Sequence, residues 1–318
     1  MRAMTIDTTG APDVLVETEL ERPVRVNSEV LVRVVAAGVN PIDSKTRSGR
    51  GVSSAITAWP AVLGYDFSGV VVEAPYEAHP LQPGTEVFGM TSVPRSGGSY
   101  AEFVAVSTLS VARKPRTISH VEAAGIPLAA LTAWGLVVDV AKAHEGQRML
   151  VHAGAGGVGH FAVQLASYFG ARVTATGSAS SLDFLRSLGA AEAVDYSAVR
   201  FEDVVGTMDA VIDLIGNVHD DTGTRSLGVL RPDGLIVNGP TGSWPTFAED
   251  AAAAGVRATT YKVAPDASTL SVIARLIDSG DVRVTVDSVF DLCDAAKAHT
   301  AIDEGHTRGK IVLRVSES

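Results

Sequence analysis

Residues 152–159 read His-Ala-Gly-Ala-Gly-Gly-Val-Gly, and within them Gly154, Gly156 and Gly159 make the spacing G-x-G-x-x-G, with Gly157 and Val158 completing the turn. Glycines at these intervals let a pyrophosphate approach backbone amides at a helix N-terminus, where side chains would block it and the helix dipole favours negative charge. The pattern is weak alone. It gains weight because a strand-like run, Met149 to Ala153, precedes it and a helical run follows, the context a dinucleotide fingerprint requires. A Gly-rich turn that only packs helix on strand is the competing reading.

The choice of dinucleotide is made about 20 residues further on, where an acidic residue would bind the ribose 2′-hydroxyl of NAD and repel the 2′-phosphate of NADP. Here the strand ends Thr174-Ala175-Thr176-Gly177-Ser178, without a carboxylate. Hydroxyls of Ser178, Ser180 and Ser181, with Arg186 nearby, suit a phosphate, so NADP(H) is the expected cofactor. Tyr196, at the end of the next strand, would close the same pocket. The serines also suit a simpler task, capping the helix that begins at Leu182.

Strands and helices alternate around this motif at the spacing of βαβ units, which implies a parallel sheet covered on both faces. Phe161, Val163, Leu165, Ala166 and Phe169 share a broad helical face that stops at Gly170, a good residue to end a helix. Arg172 to Thr176 reads as the next strand, and Leu182, Leu185 and Leu188 as a helix ended by Gly189. Strands follow near Ala193 to Tyr196, Ala210 to Ile215 and Leu235 to Asn238. Residues 1–120 read differently, as short β-like runs (Val30 to Ala36, Gly69 to Glu73, Glu86 to Met90) punctuated by Pro and Gly. Ser119 and Glu122 form a capping-box pattern that opens an Ala-rich helical stretch, so a boundary is placed near 120. The tail turns β-like again over Arg283 to Phe290, with a helix from about Asp291 to Glu304 and a strand Lys310 to Val315. The expected domains are thus 1–120 completed by 284–318, mostly β, and 121–283, a doubly wound α/β domain.

The chain has 318 residues, a length that favours two domains over one core. Its 26 Lys and Arg against 36 Asp and Glu give a net charge of −10, which repels polyanions and argues against nucleic acid as a partner. The single cysteine, Cys293, supplies neither an internal disulfide nor a thiolate zinc cluster, which fits a reducing, cytoplasmic setting. No signal-peptide pattern opens the chain, and no run approaches the roughly 18 apolar residues of a membrane span.

The chain resembles the medium-chain dehydrogenase/reductase superfamily, in its zinc-independent quinone oxidoreductase branch. The likeness runs through Ala37-Gly38-Val39-Asn40-Pro41-Ile42-Asp43, Leu63-Gly64-Tyr65-Asp66-Phe67-Ser68-Gly69, residues 127–134, the Gly-rich turn, and residues 305–313. It covers nearly the whole chain and is specific for the branch, though not for a substrate. The resemblance implies a GroES-like catalytic domain built from both chain ends, a Rossmann domain between them, and often a homodimer across the Rossmann sheets. Zinc relatives hold their catalytic metal with a Cys and a His, and these positions fall at Asn40 and Tyr65 here. The four-Cys structural lobe is missing too, so no metal is expected, and alcohol oxidation is disfavoured without an ion to stabilise an alkoxide.

What remains is hydride delivery from NADPH to an electron-poor acceptor, a quinone ring or the β-carbon of an α,β-unsaturated carbonyl compound, with donors stabilising the oxygen that gains charge. By motif position Asn40, Tyr65 and Asp43 lie near the nicotinamide: Asn40 to bond the ring or carbonyl, Tyr65 to donate to the developing enolate, Asp43 to brace the loop. Each also has an ordinary reading, as turn residue, cleft wall and helix cap. The resemblance further places Thr132 at the nicotinamide end, Ile215 and Gly216 beneath its ribose, and Asn238 and Gly239 at the carboxamide. Arg308 and Lys310 either reach the cofactor from the other domain or form a solvated basic turn. A dedicated enoyl or enone reductase of a biosynthetic pathway, and an NADPH-binding protein without turnover, are the alternatives.

Lys45, Arg47 and Arg50 read as a solvated basic loop with a weaker reading as an anion-steering cluster. His299 shares an apolar helical face with Leu292, Ala296 and Ile302 and reads as a structural histidine, and His152 and His160 as packing residues.

Overall fold

The computed structural model describes residues 1–94 and 98–317. Its contacts divide the chain into two units, Met1–Leu131 with Ala264–Ser318, and Thr132–Val263. In chain order the first part contains strands β1 (Arg2–Ile6), β2 (Val16–Glu19), β3 (Glu29–Val39), β4 (Ala61–Val62), β5 (Asp66–Glu73), β6 (Glu86–Met90), β7 (Phe103–Ser107) and β8 (Val111–Arg113). Its helices are α1 (Pro41–Arg47), α2 (His120–Ala124) and α3 (Pro127–Trp134), the last crossing into the second unit. Helices α9 (Ala267–Asp278) and α10 (Ala295–Asp303) and strands β15 (Val286–Asp291) and β16 (Lys310–Arg314) return to the first unit.

The first unit is the GroES-like β domain, with a three-stranded sheet β2-β1-β4 and a seven-stranded sheet β15-β16-β3-β5-β6-β8 in which β7 also pairs with β3. Strand β3 reads as a nearly continuous apolar run because both of its faces are covered. The register around it prepares the site. Gly38 on β3 lies opposite Asp66 on β5 and Val312 on β16, and it must be glycine, since a Cβ there would stand 2.3 Å from the Ala124 carbonyl oxygen. Two residues later α1 opens on Asn40, with Pro41 at its first position, where the missing N–H costs nothing.

The capping box at Ser119 forms as expected: Glu122 accepts from the Ser119 N–H at 2.8 Å and Ser119 Oγ accepts from the Glu122 N–H at 3.3 Å. Helix α9, which a boundary at 283 would assign to the α/β domain, belongs to the first unit. Asp278 at its end accepts from the backbone N–H groups of Arg116 and Thr117. The basic-loop expectation is corrected. Arg47 ends α1, is buried, pairs with Asp303 at 2.8 Å and donates to the Gly10 carbonyl oxygen. A guanidinium can be buried there because a carboxylate and a carbonyl receive it.

The second unit holds β9 (Arg148–Val151), β10 (Arg172–Gly177), β11 (Glu192–Asp195), β12 (Met208–Asp213), β13 (Leu230–Asn238) and β14 (Arg257–Thr260), all parallel, in the order β11-β10-β9-β12-β13-β14. That is the doubly wound Rossmann order, whose direction reverses beside β9. Between the strands run α4 (Gly159–Tyr168), α5 (Leu182–Ser187), α6 (Phe201–Val204), α7 (Thr222–Leu227) and α8 (Phe247–Ala253). Gly170 and Gly189 stop helices in the left-handed region, at φ of 86° and 101°. Sequence periodicity did not reveal β14, whose polar Arg-Ala-Thr-Thr run lies at the sheet edge, or the π-helical turn Gly135–Val140.

Candidate active site

In the second unit, the Gly-rich turn joins β9 to α4 at the carboxyl end of the sheet, and four hydrogen bonds fix it. Gly154 N–H donates to the Thr176 carbonyl oxygen at 2.9 Å, and Ala153 N–H to Thr176 Oγ1 at 3.3 Å. His152 bridges Thr176 Oγ1 at 3.1 Å through Nδ1 and Ser226 Oγ at 2.9 Å through Nε2. The Ser226 hydroxyl spends its one proton on the Thr222 carbonyl oxygen, so His152 Nε2 carries the hydrogen and Nδ1 accepts from Thr176. Burial pushes the His152 pKa down to about 4, which keeps the ring neutral in that tautomer. His152 therefore does more than pack: it ties β9 and β10 to α7 directly beneath the turn.

The glycines divide the labour. A Cβ on Gly159 would stand 2.1 Å from the Ala153 carbonyl oxygen, so this residue serves the close fit of helix on strand. A Cβ on Gly156 would meet only that same oxygen, at 3.4 Å, and its other side is open. The turn thus leaves the space at Gly156 clear of other side chains at the N-terminus of α4, the place where a dinucleotide pyrophosphate would approach.

At the end of β10, the hydroxyl of Ser178 lies 3.2 Å from that of Ser180 and 3.1 Å from that of Ser181. Gly177 pairs in register with Asp195 on β11, but the Asp195 carboxylate is taken up by the backbone and hydroxyl of Ser197. The hydroxyl cluster suits a 2′-phosphate. Arg186 pairs with exposed Asp183 at 2.8 Å. Tyr196 is 61% exposed, and its backbone N–H donates to the Gly177 carbonyl oxygen.

Asp213, fully buried at the end of β12, organises the other two strand ends. Its Oδ1 accepts from the N–H groups of Ile215 and Gly216 at 2.9 and 2.8 Å, and its Oδ2 accepts from Asn238 Nδ2 at 2.8 Å. The Gly239 N–H donates to the Asp213 carbonyl oxygen. Ile215, Gly216, Asn238 and Gly239 are thereby gathered at the carboxyl ends of β12 and β13, and a cavity of about 250 Å³ opens between Asn238, Gly239, Trp244 and Tyr261. Thr132 lies in α3, half-buried.

In the first unit Asn40, Asp43, Tyr65, Asp66 and Lys310 are all buried. Lys310 Nζ donates to the Val39 carbonyl oxygen at 3.0 Å and to Asn40 Oδ1, and lies 3.7 Å from Asp66 Oδ2. Asn40 Nδ2 donates to Asp66 Oδ2 at 2.9 Å, and the Leu128 N–H to Asp66 Oδ1 at 2.8 Å. The ammonium on one side and the carboxylate on the other fix which way the Asn40 amide points. Lys310 is thus neither part of a solvated turn nor an outward-reaching cation, since Asp66 holds it 3% exposed inside its own unit. Arg308 is half-buried, and its N–H donates to Asp287.

Asp43 Oδ2 accepts from the Asn40 N–H at 2.8 Å and from the Tyr100 hydroxyl at 3.3 Å. Burial, with the Asp66 charge adding to it, pushes the Asp43 pKa up to about 7. Burial and the Asp43 charge together raise the Tyr65 pKa, so that phenol keeps its proton and remains a donor. Sequence reasoning did not single out Asp66, Asp213 or Tyr100. Asp66 follows Tyr65 directly, and Asp213 precedes Gly216 at a strand end, so position relative to the motifs was the available signal. A larger groove of about 730 Å³, lined by Arg113, Arg116 and Arg275 in the first unit, includes none of these residues.

Among the described residues no group of three or more His, Cys, Asp or Glu is arranged to hold a metal ion. At the two ligand positions stand an amide already bonded to a carboxylate and an ammonium, and a phenol that keeps its proton, a poor donor set for zinc.

Residues 26–116 match the alcohol dehydrogenase GroES-like domain family, and residues 188–313 a family described as zinc-binding dehydrogenase. The chain is 31% identical to the mitochondrial NAD(P)H oxidoreductase RTN4IP1 of Danio rerio, over 100% of this chain and 92% of that protein. It is 35% identical to the chloroplastic NADPH-dependent alkenal/one oxidoreductase of Arabidopsis thaliana, over 98% of this chain and 79% of that one. The solved quinone oxidoreductase of Coxiella burnetii superposes with a TM-score of 0.93 at 35% identity, covering 99% of each chain. The chain belongs to the medium-chain dehydrogenase/reductase superfamily, in the zinc-independent, quinone oxidoreductase-like branch. Its class is therefore that of the NAD(P)H-dependent oxidoreductases.

Proposed function

We propose that this protein is an NADPH-dependent reductase that delivers hydride to a quinone or an α,β-unsaturated carbonyl compound without a metal ion. The observation that carries this reading is the pairing of a neutral phenol, Tyr65, with an amide, Asn40, at the two positions where zinc relatives hold their metal. Protein donors there can stabilise an oxygen that gains charge, but they cannot replace a metal in activating an alcohol. When bound, NADPH supplies the hydride.

The chain's own residues do the rest. Gly154, Gly156, Gly157, Val158 and Gly159 receive the pyrophosphate, and Gly177, Ser178 and Ser181, with Tyr196 beside them, receive the 2′-phosphate. Ile215, Gly216, Asn238, Gly239 and Thr132 line the nicotinamide half, with Arg308 a further contact. Tyr65 donates to the acceptor oxygen, Asn40 bonds the ring or carbonyl with its remaining N–H, and Lys310 positions Asn40. The same reading includes a homodimer, supported by the open edge of β14 in the parallel sheet, and a cytoplasmic location, supported by a lone, exposed cysteine. No helix among the described residues is long and apolar enough to cross a membrane.

The test is NADPH oxidation with ortho-quinones, 2-alkenals and enones, against NADP⁺ reduction by simple alcohols. Turnover confined to the first group is expected, with Tyr65→Phe lowering kcat about 100-fold and leaving NADPH affinity unchanged. Tight NADPH binding with no oxidation across the panel would leave a binding protein instead.

A further inference from the structure

In the first unit, where α9 packs against β8, the groove of about 730 Å³ shares no residue with the sites described above. Its floor is apolar, since Leu81, Val111, Ala112 and Ala274 are all buried. Its walls are cationic. Arg275 comes from α9, Arg113 ends β8, and Arg116 lies three residues further on, all of them exposed. Among the described residues the guanidiniums of Arg116 and Arg275 have no carboxylate, carbonyl or hydroxyl partner, and Arg113 donates from one nitrogen to the Pro80 carbonyl oxygen. Lys114 is already engaged. Its ammonium lies 3.4 Å from Glu86 and donates to the carbonyl oxygens of Pro115 and Ile118. The one carboxylate in the lining, Asp278, accepts through Oδ1 from the Arg116 N–H, the Thr117 N–H and the Thr117 hydroxyl at 2.8, 3.1 and 3.0 Å. It therefore holds the turn that carries Arg116. Three guanidiniums against one engaged carboxylate, on a chain of net charge −10, make this groove a local site of attraction for anions.

We propose that this groove binds a small organic bisphosphate, separately from the dinucleotide turn. A guanidinium fork matches phosphoryl oxygens two at a time, and Arg116 and Arg275, free and on different elements, each take one phosphoryl group. Further donors stand in the lining. Arg113 keeps the N–H groups that Pro80 does not use, and His79 Nδ1 accepts from the Leu81 N–H at 3.1 Å, which leaves Nε2 to carry the hydrogen of the neutral ring. The apolar floor receives the carbon skeleton between the two phosphates, and the volume falls in the range of small-molecule sites. A long polyanion fits less well, because the surface beyond the groove belongs to a chain of net negative charge. Binding here requires neither hydride transfer nor an occupied nucleotide turn, so it stands independently of the reductase reading.

Calorimetric titration of the full chain with fructose 1,6-bisphosphate tests this, with saturating NADPH present to occupy the cofactor turn and fructose 6-phosphate as the monophosphate control. The expected Kd is about 10–100 μM at low salt, with the monophosphate about tenfold weaker. Arg116→Gln and Arg275→Gln, each separately, should weaken the bisphosphate about tenfold and leave NADPH affinity within about twofold of wild type. Both residues are exposed, so the variants should fold normally. Raising the salt from about 50 to about 300 mM should weaken binding several-fold. No heat up to about 1 mM bisphosphate overturns the proposal. So does full affinity in either variant, or a monophosphate that binds equally well. Binding that disappears whenever NADPH is present would assign the bisphosphate to the cofactor turn and overturn the separate site.

Discussion

Lys310, on the last strand, and Asp66, on β5, face each other 3.7 Å apart, 3% and 0% exposed, with Asn40 bonded to both. Opposite charges taken out of water depend on each other, and removing one strands the other. Lys310→Met is expected to destabilise the first unit by about 3–5 kcal/mol, while Lys310→Met with Asp66→Leu recovers much of that loss. Urea unfolding followed by circular dichroism measures both. A single variant no less stable than the double would show that the pair contributes nothing.

Stability is expected to fall on acidification below about pH 6.5. His152 and His299 titrate near 4 in the folded protein, below the ordinary value of about 6.5. Between those values the unfolded chain binds more protons, so each contributes a loss of stability as the pH falls. Asp43 has the opposite sign. Its folded value near 7 lies above the ordinary carboxylate range, so the native state binds the extra proton and gains stability as pH falls through the same window. With His120 also lowered by burial and Asp66 raised by it, three losses stand against two gains, which leaves a net slope toward lower stability as the pH falls. Urea midpoints at pH 4.5, 5.5, 6.5 and 7.5 read it, and a flat profile would contradict the burial assigned to the two imidazoles.

The middle and last glycines of the nucleotide turn should respond differently to alanine. Gly159→Ala drives a Cβ to 2.1 Å from a backbone oxygen, which a folded turn cannot absorb, so both thermal stability and NADPH affinity should drop. Gly156→Ala meets that oxygen only at 3.4 Å, so the fold should hold while affinity falls about tenfold or more where the pyrophosphate approaches. Calorimetric titration of NADPH beside a thermal melt separates the two. Equal melting losses in both variants would contradict this division.

Cofactor preference should follow the hydroxyl cluster at the end of β10. Ser178→Asp places a carboxylate beside the 2′-phosphate and should weaken NADPH by about tenfold, roughly 1.4 kcal/mol, with little change for NADH. The ratio of the two dissociation constants, from fluorescence titration, is the readout, and an unaltered ratio would move the 2′-phosphate away from Ser178.

The sequence by itself determined whatever depends on neighbours along the chain. The Gly154-x-Gly156-x-x-Gly159 turn, the Ser119 and Glu122 cap, the glycine stops at 170 and 189 and the parallel-sheet alternation are local patterns, set by backbone sterics and helix or strand periodicity. The tertiary structure decided the rest, because burial and pairing join residues far apart in the chain. Only folding shows that Lys310 belongs to Asn40 and Asp66 rather than to solvent, that Arg47 is a buried partner of Asp303, and that His299 meets Tyr100. The physical reason is that a charge or hydroxyl on an amphipathic helix or strand end carries no mark of its partner in the sequence. Desolvation makes that partner obligatory, and the crossing of strands β3, β5 and β16 chooses which one it is.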